Sequence, residues 1–342
     1  CHGPAERWLG PHTSKDWAKM DRAKRAELGM YDTKSLIARA ELCLRCHQGS
    51  EKAIVDHELI GAGHPRLGFD LDSFSEFMPI HWIVPNERKA WNGVRVWAVG
   101  QAKALQQQVE LLVSSRKSHA LPWPDFAQLD CYACHHDIAD RVRGIAETEK
   151  KLQRWRVKEY PGGKPGRLIW NGANYMVLRH AVREVLPEKA EVLDESFSKL
   201  HEWFLGKSSS GELEPVFTKL QQVCGEVASL MAERTFTQKE VWGILRRIAG
   251  DFNAIGDAGF QSAEQAVLAV SSLRTSYVQT VGAMPNDKAF LAAFGRLNND
   301  VEFGYKFNPT QFSQHLSEVR KLLEVEVSSA NGTGVIPSRP AP

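Results

Sequence analysis

The stretch "RAELCLRCHQG", residues Arg39 to Gly49, places two cysteines three positions apart and a histidine directly after the second. The same form returns in "CYACH", Cys131 to His135, so the chain holds Cys43, Cys46 and His47 in one C-x-x-C-H and Cys131, Cys134 and His135 in another. On a helix, thiols at i and i+3 lie on one face a turn apart, and a neighbouring imidazole can swing over whatever the thiols hold. This is the attachment pattern of c-type haem, in which the thiols bond the two vinyl groups and the histidine ligates iron axially.

Other readings of the cysteines explain less. Two C-x-x-C pairs also suit a tetrahedral zinc, but zinc does not need histidine after both second cysteines. With 12 His in 342 residues, a given position is His about 3.5% of the time, and the double coincidence is on the order of one in a thousand. A thioredoxin-like pair expects a βαβ setting that the sequence lacks. A C-x-x-C disulfide is strained and usually catalytic.

Working outward, Cys1-His2 at the start of the chain reads as the surviving end of a third C-x-x-C-H, with Cys1 as a thioether cysteine and His2 as an axial ligand. A lipidated cysteine is the competing reading; it leaves His2 unexplained. Heme c is therefore expected at two intact sites and one interrupted site. Such haems are attached outside the cytoplasm, which implies a periplasmic or otherwise exported protein; no targeting signal is read within this segment. Cys224, alone on the apolar side of a helical pattern, reads as a buried small hydrophobe.

A low-spin haem needs a second axial ligand, commonly His or Met. His12, His57, His64 and His81 stand near the motifs in the settings Pro11-His12, Asp56-His57, Gly63-His64-Pro65 and Ile80-His81-Trp82. A loop fixed by Gly and Pro delivers an imidazole better than it serves helix packing. His136 reads equally as a ligand or as a hydrogen-bonded surface group. His180, His201 and His315 lie on patterned helices away from the motifs. Met20, Met30 and Met78 are weaker axial candidates, and Met176, Met231 and Met284 read as core. The tryptophans among residues 8–123 suit either porphyrin packing or an ordinary core.

Gly and Pro punctuate amphipathic segments, and no period-2 pattern occurs, so the expected fold class is all-α. Helices are expected over 14–28, 33–47, 87–118, 126–136, 170–186, 189–205, 212–234, 237–255, 262–281 and 310–325, with irregular chain at "GAGHPRLGFDLDS" and "FMPIHWIVPN". The expected organisation is a multihaem cytochrome c domain over 1–140, a charged and Gly/Pro-rich linker over 141–166, a helical bundle over 167–327 and a disordered tail over 328–342.

Composition sets outer bounds. Lys plus Arg (43) nearly balances Asp plus Glu (41), for a net charge of +2, and the positive residues are interspersed with acids along helical faces. That pattern speaks against nucleic-acid binding, which concentrates charge on one stripe. No apolar run reaches the roughly 18 residues of a membrane span.

The stretches "CHGPAERWLGPHT", "CLRCHQG", "DHELIGAGHPRLGFDLD", "MPIHW" and "CYACHHD" together resemble the multihaem c-type cytochromes related to cytochrome c554, in particular longer bacterial members with an added C-terminal helical region. The resemblance covers residues 1 to about 140, and "GAGHPRL" is its most specific part. It implies further haems upstream and assigns His12, His57, His64 and His81 as axial ligands. It also implies redox partner proteins, since the related tetrahaem cytochromes take electrons from hydroxylamine-oxidising enzymes in the periplasm. The expected function is electron transfer through closely spaced, mostly bis-His haems. The alternative is an oxidoreductase acting on hydroxylamine or a nitrogen oxide, which needs a five-coordinate iron. A third is a haem-bearing subunit whose C-terminal bundle docks a partner.

Overall fold

Several helix starts in this chain are set by side chains that accept a backbone N–H from the first turn. In the computed structural model, Asp21, Asp56 and Asp70 accept from Lys24, Leu59 and Ser73 at 2.7–2.8 Å, and Thr237 forms a capping box with Glu240. Each such cap contributes about 1 kcal/mol.

The structure describes residues 2–66, 68–78, 84, 86–118, 123–131, 169–205 and 213–324. In chain order the helices are α1 Arg22–Glu27, α2 Leu36–His47, α3 His57–Gly61, α4 Leu71–Glu76, α5 Asn86–Lys89 and α6 Asn92–Ser118. They continue as α7 Ala173–Val185, α8 Pro187–Phe204, α9 Leu213–Glu233, α10 Gln238–Gly250, α11 Phe252–Asp257, α12 Phe260–Thr280, α13 Asp287–Asp300 and α14 Pro309–Leu322. Among the described residues the fold is all-α; the only β pairing there is two isolated bridges, Ser50 with Ala53 and Leu129 with Trp170. No helix among them is long and apolar enough to cross a membrane.

Several elements differ from the sequence expectation. The segment 14–28 is a 3-10 turn, Trp17–Lys19, followed by α1, because Met20 is extended and Asp21 restarts the helix as its cap. The segment 237–255 divides into α10 and α11 at Asp251. Within 126–136 the described part is a 3-10 turn, Phe126–Gln128, which Leu129 ends in extended conformation. A short helix, α4, begins inside the stretch 61–73 where irregular chain was expected, and α3 and α13 were not anticipated.

The organising element is α6, about 40 Å long, which packs against α2, α4, α7, α9 and α12. Trp97, Ala98, Ala102, Leu105, Val109 and Leu112 on α6 are fully buried. Gly100 lets α4 approach closely: a Cβ there would lie 2.6 Å from the Cβ of Leu71. One buried apolar cluster runs from Ala40 on α2 through α6 to Leu323. The helix that carries Cys43, Cys46 and His47 and the C-terminal helices therefore share a core. The expected linker 141–166 and tail 328–342 lie outside the described residues.

Candidate functional site

The first C-x-x-C-H occupies the last turn of α2, whose final helical residue is His47. Ala40 and Leu44 turn into the core at 0% and 1% exposure. That orientation leaves Cys43 half-buried at the core edge and Cys46 exposed. The chain turns sharply after the motif at Gly49, where φ is +91° and a Cβ would lie 3.0 Å from the Ala53 carbonyl. Left-handed backbone of this kind favours glycine.

The His47 imidazole packs between two phenylalanines. It stacks on Phe69 at 4.3 Å and 16° and meets the edge of Phe74 at 5.4 Å. Burial lowers the His47 pKa, which favours the neutral ring that metal ligation requires. Burial likewise raises the Cys43 thiol, with Arg39 pulling it down. Cys43, Cys46, Cys131 and Cys224 are free thiols. Two free thiols on one helical turn beside a neutral imidazole match the donor set of a covalent haem.

Cys131 opens the second motif and is half-buried, with Gln261 Nε2 at 3.5 Å from its Sγ. Burial raises this thiol too, opposed by Arg66. Tyr132, Ala133, Cys134 and His135 lie outside the described residues. Cys131 borders a cleft whose apolar wall includes Ile54, Ile60, Leu111 and Trp170. Gln48, the residue after His47, lines that same cleft. The residue that follows the first motif and the first residue of the second thus line one space.

The expected distal histidines stand in separate surroundings. His57 opens α3; its N–H donates to Asp125 at 3.2 Å and its ring meets Phe126 edge-on at 5.5 Å. This holds α3 against the segment that leads into Cys131. His12 sits on the 3-10 turn Pro11–Thr13, edge-on to Trp8 at 5.7 Å and to Trp17 at 6.4 Å. His64 follows Gly63, which has φ +109°, and its Nδ1 is 2.8 Å from the Pro65 carbonyl. His2 is half-buried, and its carbonyl accepts from Tyr31 N at 3.1 Å. Cys1 and His81 lie outside the described residues. His180, His315, Cys224 and Met176 pack within the C-terminal helices.

Among the described residues no three His, Cys, Asp or Glu side chains are placed to share a metal ion. A porphyrin supplies the equatorial ligands of its own iron, so it needs one protein group on an axis rather than a cluster. Phe69, Phe74, Asp70 and Asp72 are additions to the site that sequence reading missed. Their only local signal is the "DLDS" cap at the start of α4.

Compared with family models, curated proteins and solved structures, the chain gives no match.

Proposed function

We propose that this protein is an exported multihaem c-type cytochrome that passes single electrons between redox partner proteins. The observation that carries this reading is the first C-x-x-C-H, with both thiols and the imidazole on the last turn of α2, together with a second such motif in the sequence whose Cys131 borders the cleft that Gln48, the residue after His47, also lines. Cys43 and Cys46 would hold one haem covalently and Cys131 and Cys134 a second, with His47 and His135 as the iron-ligating histidines; Cys1 and His2 would serve a third. His12, His57, His64 and His81 are the candidate distal ligands.

A haem bound at these residues supplies a one-electron iron couple. The chain supplies the rest. Phe69 and Phe74 hold the His47 ring, and the core behind Leu44 fixes the helix that bears both thiols. A helix fixed by a packed core suits electron transfer because little has to rearrange when charge changes.

The test is a pyridine haemochrome assay on protein matured with c-type attachment machinery. The expected result is covalent haem, with one haem fewer in the Cys43→Ser, Cys46→Ser double variant. Protein without covalent haem would overturn the reading. Electron paramagnetic resonance then separates the carrier, expected to show low-spin iron only, from a nitrogen-compound oxidoreductase, which would show a high-spin centre.

A further inference from the structure

Cys131 is held by residues that lie far from it in the chain. The segment leading into it pairs, backbone to backbone, with the segment leading into α7. Leu129 bridges Trp170, the Asp130 N–H donates to the Ile169 carbonyl at 2.8 Å, and the Asn171 N–H donates to the Gln128 carbonyl at 3.1 Å. Trp170 is 1% exposed and stacks on Phe204 of α8 at 6.4 Å. The short ladder is thereby anchored in the C-terminal core, and Cys131 follows it directly.

The other side of Cys131 is the first turn of α12. That turn comes close because residue 259 is glycine: φ is +96°, and a Cβ there would lie 3.2 Å from Asp130 Oδ2. Two positions later Gln261, which is 6% exposed, donates from Nε2 to the Cys131 sulfur at 3.5 Å. The contact joins residues 130 positions apart.

The other end of this amide points to a site rather than to packing. Gln261 Oε1 is buried and has no donor among the described residues, and the same holds for Oε1 of Gln48, Gln108 and Gln128. All four side chains line the cleft that Cys131 borders. Buried amide oxygens are ordinarily paired, so four without a partner around a single cleft mark a place that receives a group.

The charged groups facing Cys131 are Arg66, Asp130 and Glu264 of α12. Burial is the first influence on the thiol and raises it; Arg66 lowers it, and the two carboxylates raise it. Arg66 is itself paired with Glu264 at 2.7 Å. Gln261 is the neutral donor in direct contact with the sulfur.

We propose that Gln261 is a positioning residue for Cys131: its amide N–H fixes the sulfur at the edge of the cleft and stabilises the thiolate there, so that the site at Cys131 is built by both halves of the chain. A hydrogen bond to the charged form favours that form, and the thiolate is the state in which cysteine acts as a nucleophile. Gln261 therefore sets how readily Cys131 takes on what the cleft admits. The inference goes beyond the haem reading and does not depend on it. It places residues past 140, outside the stretch that resembles the multihaem cytochromes, in the second site.

The experiment is alkylation of the full chain, produced without c-type attachment machinery, by iodoacetamide between about pH 7 and about pH 11, a range that spans a raised thiol. Mass spectrometry of the peptides gives a rate for each cysteine and, from its rise with pH, a midpoint. Gln261→Met keeps the length of the side chain and removes the N–H, and should move the Cys131 midpoint up by about one pH unit. Gln261→Glu puts a carboxylate in its place and should move it further up. Cys43 and Cys46 should keep their wild-type midpoints. A Cys131 that does not react in the wild type, a midpoint unchanged or lowered in Gln261→Met, or a rise that Cys43 shares overturns the proposal. A second measurement needs no variant: in the wild type the Gln261 side-chain amide resonances should titrate with the Cys131 midpoint, and resonances that do not move overturn the contact. Absence of covalent haem in the haemochrome assay overturns the functional reading and leaves these outcomes as they stand.

Discussion

The imidazole of His47 lies flat on the ring of Phe69, with centroids 4.3 Å apart. The Phe69 carbonyl accepts from Gln265 Nε2 of α12 at 3.3 Å. Through this one ring the last residue of α2 is tied to a helix more than two hundred positions later. The candidate site is thus built by the whole bundle rather than by the motif alone.

Phe69 is 5% exposed, so Phe69→Ala removes a fully used core ring and is expected to destabilise the protein by about 3 kcal/mol. Guanidinium unfolding measures this. In haem-free protein the same change lifts the burial that depresses His47, so its pKa by NMR titration should move up towards the ordinary histidine range.

Gly100→Ala sets two effects against each other. Alanine in a helix interior gains about 1 kcal/mol over glycine, but its Cβ would lie 2.6 Å from the Leu71 Cβ. Neither atom sits at the end of a flexible chain, so α4 must move, at about 1–3 kcal/mol. The expected net result is destabilisation, seen as a lower unfolding midpoint. A stabilised variant would show that α4 does not press on α6 as described.

Acid sensitivity should originate at His180 and Asp251. His180 is 5% exposed and its Nε2 lies 2.7 Å from Asp251 Oδ2. Burial is the largest influence on His180 and lowers its pKa; the carboxylate offsets only part of this. The unfolded chain therefore binds a proton that the native state refuses, and stability falls as pH drops below about 6.5. Burial alone would raise Asp251, but His180 and Arg179 outweigh it and hold it low. Its contribution is lost in a second, more acidic window below about pH 4. His180→Gln should remove the first of these steps in unfolding free energy measured against pH and shrink the second to the part that Arg179 sustains.

For Asp72 the sign is reversed. Its folded pKa of about 8 exceeds the unfolded value, so stability falls as pH rises from about 4 towards that point. Asp72→Asn should stabilise the haem-free protein by about 1–3 kcal/mol near pH 9 and have little effect near pH 4. Chemical unfolding at the two pH values checks this.

Much of the helical architecture was legible because apolar residues recur at helical spacing, and the motifs because C-x-x-C-H is contiguous. The long helix expected over 87–118 is present as α6, with its first turn detached as α5. Local periodicity shows that a face is apolar but not which helix covers it. Phe69 and Phe74 reach His47 only because α4 folds across α6, and Asp70 meets Ser272 across 202 positions. α13 was missed because its stripe is narrow: Phe290, Ala293 and Leu297 are its only buried residues. The helix expected over 14–28 was broken by one extended residue, Met20, before a cap.

The shared core also bears on the order in which the protein takes shape as it is synthesised. The Cys43 motif leaves the ribosome early, yet the wall behind His47 is pinned by Gln265 and Ser272. That wall stays unlatched until α12 has been made and docked. Through that interval the thiols of α2 face an open, accessible surface, and the last helices to arrive act as the closing side of a mould around the first.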